Sequence, residues 1–275
     1  MKKSISTFLI LFSVLTVMAQ EGEKQPKFRF GLKVSPSVAW MGLDKTRFND
    51  LDVENGGAKV KFGYGLITEF VLAKNYSILT GVEVNYLGGS INYKDANKVN
   101  YQLNDSTALF LSSRAFKQQY ITIPLALKLN TNEIGYMTYF GQIGVDLSFQ
   151  IKGRANDAGT LYYKANQDSS THTFSVQGEE YSAEDVNIYK QTGVFGFLRV
   201  ALNVGAGVEW NIAGNTSLLF AVNYNNGFTN FFKKADTIKE EDKTNLPVNN
   251  NKDTAEPLDQ KASSNYVALT VGVLF

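Results

Sequence analysis

The side chains of this sequence that could do chemistry are acids and bases set singly into alternating stretches. Arg29, Lys33, Lys61, Lys128, Lys152 and Arg199 stand against Glu69, Glu83, Asp146 and Glu209, with Tyr120 and Gln142 among them. Each falls in the small-or-polar phase of its stretch, so in extended chain they share one face. Unpaired charge on an enclosed face is costly, so such a set is expected to form ion pairs and hydrogen bonds or to reach water.

Other chemistries lack their parts. There is no cysteine, which removes thiol nucleophiles, disulfides and cysteine-ligated zinc. The one histidine, His172, lies in a polar stretch with neither a carboxylate cluster nor a serine placed to use it as a base, so no catalytic residue is assigned. Asp50-Leu-Asp52 and Glu240-Glu-Asp242 lack the glycine and the spaced oxygen ligands of a calcium loop. Gly63-Tyr-Gly65 and Gly205-Ala-Gly207 imitate fragments of phosphate loops, but they lie mid-strand and open no helix. No metal site, cofactor site or enzymatic activity is therefore expected. With 275 residues, 44% hydrophobic, 13% aromatic and a net charge of +1, the chain is neither a disordered tail nor a basic nucleic-acid binder.

The elements that must position the charges are strands. Phe28 to Met41 alternates Phe28, Phe30, Leu32, Val34, Pro36, Val38 and Trp40 with Arg29, Gly31, Lys33, Ser35, Ser37 and Ala39. Proline cannot donate to a ladder, so Pro36 belongs at a bulge or an unpaired position. The same alternation runs through Lys59 to Leu72, Tyr76 to about Leu87, Tyr120 to Leu129, Met137 to Lys152, Phe197 to Ile212, Ser217 to Asn225 and Tyr266 to Phe275. Ala73-Lys-Asn75, Asn130 to Tyr136 and Ala213-Gly-Asn215 are short connections that demand antiparallel hairpins. They interleave with four long polar segments: Gly42 to Ala58, Gly88 to Ala115, Lys152 to about Gly193, and Asn230 to Ser264. In an up-and-down sheet all short turns then share one rim and all long loops the other. Within the third long segment, Thr160 to Lys164 and Thr171 to Val176 can pair as an extension of the sheet, which leaves ten strands open beside eight.

Which face meets water decides the class. A soluble barrel keeps its apolar face inside and a heavily charged one outside. Here the polar phase is rich in glycine with scattered charges, whereas the apolar phase is continuous, branched and aromatic. About eight strands, each long enough to cross a bilayer obliquely, match a transmembrane barrel whose apolar face meets lipid. Trp40, Tyr76, Tyr86, Tyr139, Trp210 and Phe275 fall near strand ends, where interfacial girdles lie. Lys2 and Lys3 before the apolar run Phe8 to Met18, with Val17-Met-Ala19 at its end, read as an export leader over residues 1–19 cleaved near Ala19.

Tyr120-Ile-Thr-Ile-Pro-Leu-Ala-Leu-Lys128 followed by Tyr139-Phe-Gly-Gln-Ile-Gly144 resembles the signature of the PorT-like outer-membrane β-barrel family. The Ala19-Gln20 junction and the C-terminal Phe275 are similar to that group too, and the resemblance covers about Lys27 to Phe275. It implies an outer-membrane protein whose terminal Phe275 is the assembly signal read by the barrel-assembly machinery. It also implies that some relatives serve a protein-secretion apparatus.

The expectation is an all-β, eight-stranded, antiparallel up-and-down transmembrane barrel over residues 20–275, with short periplasmic turns and long extracellular loops. Its lumen is lined by Arg29, Lys33, Lys61, Glu69, Glu83, Tyr120, Lys128, Gln142, Asp146, Arg199 and Glu209. An eight-stranded interior is just wide enough for side chains to fill. The expected role is structural or interactive, through loops that meet an external ligand or protein partner. The alternatives are a small-solute channel and an accessory barrel of a secretion complex. Setting Leu129 opposite Met137 would bring Tyr120 opposite Asp146.

Overall fold

The computed structural model describes residues 27–44, 53–94, 99–104, 107–164, 174–186, 196–233, 248–249, 256–257 and 260–275. The expected leader, His172, Asp50-Leu-Asp52 and Glu240-Glu-Asp242 lie outside them. The strands in chain order are β1 (Phe28–Leu43), β2 (Val53–Asn55), β3 (Lys59–Ala73), β4 (Tyr76–Leu87), β5 (Ser90–Tyr93), β6 (Val99–Asn104) and β7 (Thr107–Asn130). They continue with β8 (Met137–Lys164), β9 (Phe174–Val186), β10 (Leu198–Ala213), β11 (Thr216–Gly227), β12 (Val248–Asn249), β13 (Glu256–Pro257) and β14 (Ala262–Leu274).

Eight of these close a ring in the order β7, β4, β3, β1, β14, β11, β10, β8, with β8 pairing back onto β7 and every pairing antiparallel. The remaining strands extend the sheet on the long-loop side: β9 on β8, β6 and β5 on β7, β2 on β5, β12 on β6 and β13 on β12.

Alternation sets the two faces. In β1, Phe30, Leu32, Val34 and Val38 are exposed, while Gly31, Ser35, Ser37 and Ala39 are buried. Leu66, Leu125, Val222 and Leu269 stand more than half exposed around the ring (52%, 58%, 56% and 52%), although the last three each lie between buried neighbours and Leu66 beside buried Ile67. A continuous apolar belt of this extent suits hydrocarbon.

Two features shift the register from the counting made on the sequence. The β7–β8 hairpin closes on Gly135-Tyr136, with Gly135 at φ 66° and a bridge between Ile134 and Met137. Leu129 consequently pairs with Gly141, not Met137, and Tyr120 faces Gln150 while Asp146 faces Pro124. A bulge then lets Tyr120 pair with Gln150 and Gln119 with Lys152, which leaves Ile151 as the extra residue. An added residue reverses the alternation beyond it, so Lys152 is exposed on the outer wall and is not a lumen residue.

The two long segments flanking this hairpin carry more strand than their composition indicates. β7 begins at Thr107, and β8 runs without a break to Lys164, where it pairs with Phe174 of β9. Pro36 leaves the β1–β14 ladder unpaired between Val34–Val271 and Ser37–Ala268. Pro124 coincides with a similar gap in the β4–β7 ladder, between Leu79–Ala126 and Glu83–Thr122.

Candidate functional site: a layered barrel interior

At the short-turn end, β1, β3, β7 and β10 each deliver one charge to a single cross-section. Arg29 Nη1 donates to Glu69 Oε2 at 3.1 Å and to Glu209 Oε2 at 2.8 Å, and its Nη2 donates to Ser217 Oγ at 3.0 Å. Lys128 Nζ donates to Glu69 Oε1 at 2.9 Å and also to Glu209 Oε1. The four charges thus alternate in sign around a closed loop, and Ser77 Oγ adds a bond to Glu69 at 2.5 Å. Lys128 is wholly buried, and its ammonium lies 4.8 Å from the Phe140 ring centroid. Below the loop a vestibule of about 440 Å³ opens at the short-turn rim, lined by the same Arg29, Glu69 and Glu209 together with Lys74, Asn130 and Glu133.

One step inward the polar phase turns apolar: Ile67, Phe140, Leu219, Ala221 and Leu274 form a buried belt across the lumen with Leu79 against it. Glycines make room for it. A Cβ on Gly207 would run into the Phe140 ring and Ala221, and one on Gly65 into the backbone of Val82 and Glu83. The glycine pairs that imitate phosphate-loop fragments are thus sites of close approach.

Above the belt the interior is a hydrogen-bonded network. Lys33 pairs with Glu83, to which Asn85 donates at 3.3 Å. Gln142 donates to Asn223 at 2.7 Å, and Asn223 to Thr270 Oγ1 at 3.0 Å. Asp146 accepts from Asn203 at 3.1 Å and from Asn225 at 2.6 Å. Arg199 Nη2 donates to Asn225 and, at 2.7 Å, to the Ser264 carbonyl, and its guanidinium carbon lies 5.7 Å from the Tyr266 ring centroid. Tyr120 is buried at this level with Ala39, Leu87, Tyr266 and Ala268.

The loop end is closed by a second apolar cluster that includes Met41, Ile91, Leu111, Phe116, Phe231 and Phe232. Phe116, Phe231 and Phe232 pack edge to face, with centroids 4.8 to 5.7 Å apart. Backbone bonds tie this cap to the wall, from Phe231 N to the Ala262 carbonyl at 2.7 Å and from Gly196 N to the Phe231 carbonyl at 3.1 Å. Between the vestibule and this cap, three cavities measure about 40, 20 and 10 Å³, each about the room of one to a few waters.

The interior therefore brings together Arg29, Glu69, Lys128 and Glu209 in one layer, Lys33, Glu83 and Gln142 in a second, and Asp146, Arg199 and Tyr120 in a third. Lys61 stays apart, half-buried at the loop-side end of β3. Asn203, Asn225, Ser77 and Ser217, which complete these layers, lie in the polar phase of their strands, and that phase was the signal available for them. Arg114, which holds Asp157 through two bonds of 2.6 and 2.7 Å, and the Phe231-Phe232 pair come from long polar segments without such a phase. Phe275 pairs through its backbone with Phe30, and its ring stands outside, 5.6 Å from the Phe30 ring.

The chain is similar to the outer membrane protein OprG from Pseudomonas aeruginosa at 11% identity, with 90% of this chain and 95% of that one covered and a TM-score of 0.41. It is similar to the attachment invasion locus protein Ail of Yersinia pestis, solved in complex with the heparin analogue sucrose octasulfate, at 12% identity, 90% and 99% coverage and a TM-score of 0.34. The outer membrane protease OmpT from Escherichia coli matches at 8% identity, 94% and 99% coverage and a TM-score of 0.33. No curated protein matches the sequence. The family model described as outer membrane protein beta-barrel domain matches residues 18–233, so the chain belongs to that family and resides in the outer membrane as a barrel embedded in its lipid.

Proposed function

We infer that this barrel is a closed, non-enzymatic outer-membrane protein that works through its extracellular face as a structural or interaction module. The observation that carries this reading is the interior, where an ionic loop, an apolar belt, a polar network and an aromatic cap succeed one another along the axis. Three interior voids that each hold at most a few waters weigh against the small-solute channel. The long connections all emerge at the rim opposite the short turns, which suits contact with an external ligand or protein partner.

On the same reading, residues 1–19 act as the export leader and Phe275 as the signal for the barrel-assembly machinery. The stretches Tyr120 to Lys128 and Tyr139 to Gly144 ally the chain with the PorT-like group. Planar-bilayer recording tests the closed lumen: purified protein is expected to give no steady nanosiemens openings, and such openings would sink the reading. Co-purification in mild detergent addresses the partner, since a barrel always recovered alone would count against an interaction role.

A further inference from the structure

The bulge that turned Lys152 outward gathers several cations on one arc of the wall. Lys117 and Arg154 are direct cross-strand partners on β7 and β8, and Gln119 pairs with Lys152 two residues nearer the membrane. Like charges directly opposite one another are unfavourable, yet here they share a single carboxylate. Lys117 Nζ and Arg154 Nη1 each lie 3.0 Å from Asp185.

Asp185 itself is held in an uncommon way. It has φ 58° at a bulge of β9 between the Ala155–Val186 and Asp157–Ala183 pairs, and its N–H is bound by Asn156 Oδ1 at 3.0 Å. A non-glycine residue is uncommon in this region, and a bulge re-aims a side chain. Lys61 at the end of β3 lies within electrostatic reach of Lys117, and Lys59 within reach of Lys61. Among the described residues, Lys59, Lys61 and Lys152 have no carboxylate partner. The acids nearby on β9 are Asp185 and the exposed Glu184, with Glu179 and Glu180 farther along the strand. Elsewhere at the loop end, cations are answered singly, Lys94 by Glu54 at 2.7 Å and Lys261 by Asp44 at 3.6 Å.

The level of the group matters as much as its charge. Immediately toward the membrane stand Tyr86, whose hydroxyl accepts from Gln119 at 3.3 Å, and the Phe149–Phe197 pair with centroids 5.7 Å apart. Exposed Ile121 and Ile151 mark the hydrocarbon edge beside them. Aromatic side chains of this kind sit at headgroup depth. Exposed cations just above them meet the layer where lipid phosphates lie.

We propose that Lys117, Lys152 and Arg154, backed by Lys59 and Lys61, form a binding site for the phosphate groups of an outer-leaflet lipid, with Asp185 as the internal anion that holds the site when it is empty. A phosphate monoester presents several oxygens to Arg154 and the two lysines, and it displaces a carboxylate that is itself half exposed. The remaining excess of positive charge favours a ligand with more than one phosphate.

Native mass spectrometry of the refolded full chain in neutral detergent tests this, with bisphosphorylated lipid A, its dephosphorylated form and inorganic phosphate as probes. The wild type is expected to prefer the bisphosphorylated lipid by about tenfold or more. The triple variant K117Q/K152Q/R154Q loses that preference, and K261Q keeps it. D185N binds more tightly than wild type, because the competing carboxylate is gone. K152Q alone, at an exposed and unpaired side chain, weakens binding without threatening the fold. Wild-type affinity in both K152Q and the triple variant would overturn the proposal, as would equal binding of the dephosphorylated lipid. Inorganic phosphate that occupies the site as tightly as the lipid would show the site to serve a free anion instead.

Discussion

Replacing Lys128 by methionine is the sharpest probe of the ionic loop. The side chain is fully buried and donates to both Glu69 and Glu209, so its removal leaves two carboxylates with one guanidinium. Breaking a buried pair costs about 3 to 5 kcal/mol, because an uncompensated charge remains. Two features hold the value to the lower end. Arg29 still lies 3.1 and 2.8 Å from the two acids, and both line the vestibule of about 440 Å³, onto which Glu209 opens slightly. The expected loss is about 3 kcal/mol, roughly a hundredfold in the unfolding equilibrium. Urea titration in phospholipid vesicles reads it through Trp40 and Trp210, the only two tryptophans. The companion K128M/E209Q restores one acid to one base and should recover about half of the loss, a coupling expected for residues that share a network. A K128M cost below about 1 kcal/mol, or a double variant whose cost is the simple sum, would refute the account of the loop as one mutually compensating unit.

K128M is also expected to stay non-conducting in a planar bilayer, because the belt of Ile67, Phe140 and Leu219 closes the lumen above it; steady openings would show the ionic loop to be the sole barrier. Leu125→Arg or Val145→Arg, cross-strand partners on the outer wall, should cost about 2 to 4 kcal/mol near the bilayer midplane, and wild-type stability of either variant would reverse the faces. The Asp185 carboxyl is held below the usual carboxylate range, chiefly by its hydrogen bond from Lys117 and then by the charges of Lys117 and Arg154. A lowered folded-state value stabilises the folded form above the ordinary aspartate pKa and loses that contribution as pH falls through the depressed one. The Asp185 side-chain NMR titration should therefore have its midpoint below 3.8 in the wild type and closer to that ordinary value in K117Q; an unchanged midpoint in K117Q would remove the lysine as the cause.

The strands and their two faces were legible in the sequence because lipid imposes a period on them: Leu125 beside Ala126 and Val145 beside Asp146 declare which side is which. Register was not, since it depends on where a turn pinches and where a residue is added. Gly135 sets the first and Ile151 the second, and neither breaks the local alternation visibly. Of the loop-side extensions, the sequence shows the strand at Thr160 to Lys164 and its pairing near Phe174, but not the rest, for another reason. Beyond the membrane both faces of a strand meet water or one another, so β7 before Phe116 and β8 after Gly153 carry no lipid-driven period. Acids and bases destined for the lumen could be named singly from their phase. Their grouping into one alternating loop could not, because Arg29 and Glu209 are 180 residues apart and meet only when the ring closes.

The gaps at Pro36 and Pro124 change how the cylinder responds to load. Six seams of the ring carry no proline gap, while β1–β14 and β4–β7 each lack ties at a proline, which has no N–H to give. These seams are separated by three strands on one side and five on the other. A hoop with two compliant lines flexes there first, so it ovalises under lateral pressure more readily than it dilates, because dilation must lengthen all eight seams together. Squeezing of this kind slides the lumen networks against one another without drawing them apart, and the wall can follow the surrounding lipid.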